Sequence, residues 1–531
     1  MLLGGATLAG FTVSSSGLAN FAPHYLQRIS RSPFPLTQNP FCLGVAAGAP
    51  GPDGFVLWTR LALDPLATDP VSPGGIPLKD HGHGIAVDYE IALEPEMRRV
   101  VAAGVTLADP RYGFSIHLNV AGLQPAREYW YRFHLGDAES PVGRAITLPA
   151  AGRPATGLRL GMACCANYER GYFAAYRHLA DEQPDMTLFL GDYIYEQVEQ
   201  YRSVIRRHSD EAVPIDLDGY RRRYAQYRLD PDLQRLHATT MTLATWDDHE
   251  VENDYAGDWS ESFTPHAEFV ARRRAAYQAF YEHMPLRWQP SGDHLRIHDC
   301  VTYGDLARIS LLDGRQYRDR GACYGMPDRG GGHLVESDTC AELLDPSRSM
   351  LGADQERWLA GNLTHSPARW NILAQNVIMA PLGSRDLNGR VTAWTDAWDG
   401  YPMARDRLLS TMHDQTVRNP VVFSGDIHSF WHNDLRRSDS SKSDETIATE
   451  FVVSSVTSDG PPQDQLQDQV ARHPHIHFAE SRHRGYALVE IAGDRMLTHF
   501  RTIGDVTDDA THRNTLASFA IEDGRNGAVA V

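Results

Sequence analysis

The sequence predicts an α/β protein preceded by an all-β portion, and three observations carry that expectation. Apolar runs of about five to seven residues recur along the chain from about residue 157. Segments of helical period separate them, which is the pattern of buried strands alternating with helices. From about 40 to 149 the pattern differs, with short alternating runs broken by Gly/Pro turns.

In chain order, residues 1–34 come first. They open with MLLGGATLAGFTVSSSGLA, apolar and rich in small residues, about the length of a signal-peptide hydrophobic region but without its basic leader. They are expected to be an export signal truncated at its N-terminus, plus a linker; a buried first segment is the alternative. Residues 35–150 contain FVLWTRL (55–61), VDYEIAL (87–93) and a hairpin-like stretch in which Tyr129, Tyr131 and Phe133 alternate. An immunoglobulin- or fibronectin-like β-sandwich is expected there, with no chemistry of its own. Residues 157–531 form the α/β domain, its C-terminal part after about 430 expected to supply a lid. A chain of 531 residues is too long for one ordinary core, which fits two domains.

Composition narrows the function classes. The chain is 42% hydrophobic and 22% charged, with a formal net charge of -18. That balance argues against sequence-independent binding to nucleic acid or to an anionic membrane, both of which need a basic face. The triplets Arg221–Arg223 and Arg272–Arg274 are expected to be solvated helix faces. No stretch is long and apolar enough to span a bilayer. Of the six cysteines, Cys323 and Cys340 bracket a Gly-rich loop and could pair in an oxidising compartment.

The endings of the apolar runs carry the functional signal. LRLGMA is followed by CCANYERGY, MTLFL by GDYIYE, MTLAT by WDDHEVEND, LARISLL by DGRQYR, WNILA by QN and PVVFS by GDIH. Strand ends are where α/β proteins build their sites. Together these endings offer Cys165, Asp192, Tyr195, Asp248, His249, Asn253, Arg315, Gln375, Asp426 and His428. Acids and thiolates facing one another in a partly buried cleft repel by several kcal/mol unless cations lie between them. Tyr, Cys, His and Asp together suit a redox-capable ion such as Fe(III). Asp and Asn oxygens suit Ca²⁺ or Mg²⁺. Zn²⁺ is less favoured, since no close pair of Cys or His ligands has zinc-site spacing.

The stretches ACCANYERGYF, LFLGDYIYE, TWDDHEVENDYAG, LLDGRQYRD, AWDGYP and FSGDIHSFW occur in an order that resembles the alkaline phosphatase D family, within the calcineurin-like metallophosphoesterase superfamily. Asp192-Tyr193-Ile194-Tyr195 also resembles the Asp-x-x-Tyr motif of the purple acid phosphatases. The resemblance runs from about residue 40 to the end. It implies a layered α-β-β-α metallophosphoesterase sandwich behind the N-terminal β domain, a centre of Fe(III) and Ca²⁺ that is dinuclear or larger, and an alkaline optimum.

Site roles follow from the same resemblance. Asp192 would bridge two metal sites, with Tyr195, Cys165 and His428 binding Fe(III). Asp248 and Asp426 would bind the hard cation, with Asn253 adding an oxygen. Gln375 stands where relatives of the superfamily place a histidine, and is expected near metal or substrate. A metal-activated water would attack phosphorus, Arg315 and Arg318 would clamp the phosphate oxygens, and His249 would protonate the leaving group. The expected protein is an exported monomer, periplasmic or secreted, that hydrolyses phosphate monoesters, diesters or both. The rival expectation is a catalytically silent, metal-stabilised binding protein. A serine esterase is disfavoured because no Gly-x-Ser-x-Gly elbow occurs. Two bland readings stand beside these roles: Arg315 and Arg318 could merely pair with Asp313 and Asp319, and HPHIH (473–477) is expected to be a surface or lid segment rather than a metal site.

Overall fold

The computed structural model describes residues 38–67, 82–200, 204–325, 330–385, 391–437 and 445–531. The expected export signal and linker lie outside them. All six apolar runs are strands, but they divide between two sheets.

The larger sheet has ten strands. Met186–Leu190 lies parallel between Leu158–Ala163 and Met241–Thr245. Beyond Leu158–Ala163 the sheet continues antiparallel through Arg484–Ile491, Arg495–Ile503, Arg513–Glu522 and Val529–Ala530. On the other side Val45–Gly48 pairs parallel with Met241–Thr245, followed by Phe55–Arg60 and Ser115–Val120. The second sheet has seven strands, with Ala307–Leu311, Trp370–Ala374, Pro420–Ser424 and Ala448–Val452 parallel at its centre.

Alternation along each strand shows what covers its faces. Met186, Leu188 and Leu190 enter a core shared with Ile309, Ile372 and Phe423 of the second sheet. Phe189 points the other way, into a cluster with Tyr176, Tyr220, Leu233 and Phe280 from four helices. In the second sheet Leu373 and Val422 pack with Leu359 and Leu409 of the helices Gly352–Thr364 and Pro402–Asp414. Burial on both faces is why these runs read as continuously apolar rather than alternating.

The N-terminal segment is all-β, as expected, and its strands lie in two sheets, one of which is continuous with the larger sheet. Val45–Gly48, Phe55–Arg60 and Ser115–Val120 extend the ten-stranded sheet. Ile85–Ala92, Val100–Ala108, Arg127–Leu135, Ala138–Glu139 and Gly143–Thr147 form a five-stranded sheet of their own. Tyr129, Tyr131 and Phe133 do share one face, and that face is buried in the common core. The physical reason is edge protection: Val45–Gly48 pairs with Met241–Thr245, so that strand does not end the sheet with unpaired backbone groups.

The arginine triplets are likewise not simply solvated. Arg221 reaches Glu282 through Nε at 2.7 Å and Nη2 at 2.6 Å. Arg223 and Arg273 are buried, the latter donating to the Gly257 carbonyl at 2.6 Å. The expected disulfide is present between Cys323 and Cys340, while Cys42, Cys164, Cys165 and Cys300 are free. Among the described residues no helix is long and apolar enough to cross a membrane.

Candidate metal centre

The loops that leave Leu158–Ala163, Met186–Leu190 and Pro420–Ser424 turn through left-handed residues, and those residues carry the chemistry. Cys165 (φ 57°), Asp192 (φ 52°), Asp426 (φ 72°) and His428 (φ 54°) all occupy the left-handed region. Four such non-glycine residues at strand ends concentrate backbone strain where a site would be held. Gly191, at φ 97°, has no alternative: a Cβ there would lie 2.8 Å from the Asp247 backbone nitrogen.

Cys165, Asp192 and His428 place one ligand atom each within 4.8 Å of one another. The Tyr195 hydroxyl joins them, 2.8 Å from Asp192 Oδ2 and 3.1 Å from His428 Nε2. His428 Nδ1 faces the Asp459 carbonyl at 2.7 Å, which puts the ring proton there and leaves Nε2 bare. Burial pushes the His428 imidazolium down to about 4, so the ring is neutral, as a ligand must be. Asp192 Oδ1 is buried without a hydrogen-bond partner.

A second group, Asp192, Asp248 and His249, shares Asp192 with the first. A third, Asp248, Asp254 and Asp396, shares Asp248 with the second. Burial raises the Asp192 carboxyl far above the usual range; His249 opposes that, while Asp248, Asp247 and Glu250 add to it. His249 is held by Glu196, whose Oε2 lies 2.7 Å from Nδ1, and its ring stacks on Tyr195 at 4.1 Å between centroids. Burial works against a charged His249, but Glu196, Asp192 and Asp248 outweigh it and lift its pKa well above normal.

Behind these side chains Glu250 pins the loops together. It accepts from the backbone nitrogens of Asp192 (3.2 Å), Tyr193 (2.6 Å) and Asp247 (2.9 Å). Burial, opposed by those amides, raises Glu250 to about 8.

The two arginines depart from expectation. Arg315 is fully buried and binds Asp247 through Nε, and Asp396 through Nη1 (2.7 Å) and Nη2 (2.8 Å). Arg318 donates to the Asp396 carbonyl (2.8 Å), the Tyr255 carbonyl (2.9 Å) and the Asp396 carboxylate. The Arg315 guanidinium is thus taken up by carboxylates of the protein, Arg318 keeps Nε without a partner, and neither guanidinium pairs with Asp313 or Asp319. Gln375 is also committed: its amide donates to Val377 O (2.6 Å) and Ser424 Oγ (2.9 Å) and accepts from Trp398 Nε1 (2.8 Å). It is a buried structural bridge, not a substrate contact.

Asn253 turns its amide nitrogen to Glu261 at 3.0 Å. Asp426 belongs to none of the three groups, although burial and then Asp247, Asp396 and Asp248 raise its carboxyl strongly. His473, His475 and His477 enter no such group among the described residues; His475 binds the Pro381 carbonyl and His477 pairs with Asp434 at 2.9 Å. Sequence reasoning missed Glu196, Asp254 and Asp396. Their signal was present, since Glu196 closes FLGDYIYE and Asp254 lies within WDDHEVENDYAG. Asp396 lies just ahead of the WDGYP stretch.

Donors of these kinds fit metal ions. A neutral imidazole, a phenol, a thiol and an unpartnered buried carboxylate oxygen converge, with the His249 ring beside them. The class so defined is an α/β protein with a clustered donor set at the carboxyl ends of its strands. Residues 160–500 match the family model described as PhoD-like phosphatase, and residues 28–149 match that of its N-terminal domain. Alkaline phosphatase D of Bacillus subtilis (strain 168) is 38% identical over 497 residues, covering 92% of this chain and 82% of that protein. A solved structure titled "Structure of PhoD" superposes with a TM-score of 0.85 at 37% identity, covering 94% and 93% of the two chains. The chain belongs to the PhoD-like phosphatase family of enzymes.

Proposed function

We propose that the protein is an exported, metal-dependent phosphohydrolase that releases phosphate from monoesters, diesters or both. The observation that carries this reading is the linked series of donor groups, in which Asp192 belongs to two adjacent groups and Asp248 to two. An α-β-β-α layering, supported by the alternate burial of Leu188 and Phe189, delivers these donors to one edge of both sheets.

In this reading Cys165, Tyr195, His428 and Asp192 hold Fe(III), and Asp192 with Asp248 holds a hard cation, Ca²⁺ in preference to Mg²⁺ or Zn²⁺. Asn253 and Asp426 are further candidate ligands. When bound, such ions lower the pKa of water toward neutrality and supply the nucleophile for attack on phosphorus. His249 acts as proton donor to the leaving oxygen. Its pairing with Glu196 keeps it in the protonated form, which suits an acid and not a ligand. Glu250 keeps Asp192 and Asp247 on one rigid frame through three backbone amides. Arg315 holds Asp247 and Asp396 in place without meeting the substrate. The Cys323–Cys340 disulfide supports export, because such bonds persist in oxidising compartments.

The test is elemental analysis of the purified protein together with turnover of p-nitrophenyl phosphate and bis-p-nitrophenyl phosphate, before and after chelation. About one iron per chain plus calcium is expected, with activity lost on stripping and regained with calcium. A folded, metal-loaded protein that hydrolyses neither ester would favour a silent binding protein instead.

A further inference from the structure

We propose that Ser458 tunes the Tyr195 phenolate by giving it a hydrogen bond that no other described side chain around that oxygen can give. The inference rests on the reading above that Tyr195 binds a ferric ion.

Three groups surround the Tyr195 oxygen: Ser458 Oγ at 2.7 Å, Asp192 Oδ2 at 2.8 Å and His428 Nε2 at 3.1 Å. As a metal ligand Asp192 would be ionised and carry no proton to give. His428 holds its ring proton on Nδ1, against the Asp459 carbonyl, so Nε2 has none to give. Ser458 is left as the donor. Its hydroxyl has one other acceptor in reach, the Cys165 carbonyl at 3.0 Å. That carbonyl already receives the backbone N–H groups of Thr457 (3.4 Å) and Ser458 (3.3 Å), enough for its two lone pairs. Once Tyr195 has lost its proton, the anionic oxygen is the stronger acceptor, and the serine proton belongs there.

Ser458 is built into place rather than free to swing. It is buried, and its carbonyl accepts from Ser455 Oγ (2.5 Å) and Arg484 Nη1 (2.5 Å). Arg484 in turn reaches the Ser481 carbonyl. Ser455 forms a parallel bridge with Cys164, and Val456 N donates to the Cys164 carbonyl at 2.9 Å, so this loop ties one sheet to the ligand loop of the other. Gly460 is required for the approach, because a Cβ there would lie 2.6 Å from the His428 carbonyl and 2.8 Å from Arg484 Nη2. Ser458 is a positioning residue: it touches a ligand, not the substrate.

A hydrogen bond to a metal-bound phenolate withdraws electron density and lowers the energy of its filled orbital. Charge transfer from phenolate to ferric iron then needs a higher-energy photon. The experiment records visible absorption and resonance Raman spectra of the full, iron-containing chain in H₂O and D₂O. Wild type should show a phenolate band whose C–O mode shifts in D₂O. Ser458→Ala should move the band to longer wavelength and lose the D₂O shift, and Ser458→Thr should restore both. An unchanged band and D₂O shift in Ser458→Ala would overturn the proposal. So would a wild-type C–O mode insensitive to D₂O, which requires no variant to fold. If wild type has no phenolate band and Tyr195→Phe leaves its spectrum unaltered, the ferric reading itself falls, and this inference with it.

Discussion

The two ends of the donor series are built from similar side chains but compensate their charge in opposite ways. Around Asp396 and Asp247 the protein supplies its own cations: Arg315 and Arg318 are buried and donate to those carboxylates and nearby carbonyls. Around Asp192 it supplies no guanidinium: the carboxylate has the Tyr195 hydroxyl on Oδ2, the His249 ring as its nearby positive charge, and Oδ1 without a partner. Buried acids are costly unless compensated; the first end holds two guanidinium groups, although Asp247 Oδ2 also lacks a hydrogen-bond partner, and the second holds none. The electrostatics agree. Arg315 and His249 overcome burial and hold Asp248 below the usual carboxylate range, whereas Asp192 is driven far above it.

The largest effect should come from the uncompensated end. Asp192→Asn removes the carboxylate common to two donor groups, and loss of both bound metal and turnover is expected. Elemental analysis paired with p-nitrophenyl phosphate hydrolysis checks it, and full metal content with full turnover would sink the bridging role.

His249→Asn should follow, with kcat reduced roughly 10²–10⁴-fold, the range for loss of a general acid. Phenyl phosphate, whose leaving group is poor, should suffer more than p-nitrophenyl phosphate, whose leaving group needs little help. Equal losses on the two substrates would remove the proton-donor assignment.

At the compensated end the damage should appear in stability. Arg315→Met leaves buried Asp247 without a guanidinium, held only by the Asn376 amide, and leaves Asp396 with Arg318 alone, at a cost of about 3–5 kcal/mol. A lowered thermal or denaturant midpoint is the readout. An unchanged midpoint with a raised KM would restore the phosphate clamp that the geometry rejects.

Gln375→Met should be mildest. It leaves the Trp398 indole N–H without its acceptor, worth about 1–3 kcal/mol, with KM unaltered. A rise in KM at constant stability would show that Gln375 meets substrate after all.

Much of the donor cluster was legible because its residues follow apolar runs directly. Asp192 and Tyr195 come one and four residues after Phe-Leu-Gly, and His428 ends GDIH. Both motifs read as strand ends, and the structure joins Cys165, Asp192 and His428 across two sheets as the resemblance implied. Arg315 and Gln375 misled for one reason: a strand end places a residue near a site without saying which way its side chain turns. Both turn inward to satisfy buried groups. Asp396 was hidden differently. It follows Val391–Trp394, a short strand in a three-stranded side sheet, and its proximity to Asp248 has no sequence periodicity behind it.

By itself, the sequence determined the strands, the helices and the residue types at the strand ends, because local periodicity and polar punctuation depend only on near neighbours along the chain. Tertiary structure alone decided three further things. It divided the six runs between two sheets. It stitched Val45–Gly48 into the same sheet as Met241–Thr245. It also chose which acids receive a buried arginine and which do not. All three depend on pairing between segments tens to hundreds of residues apart, where charge compensation and backbone hydrogen bonding are settled by what meets in space.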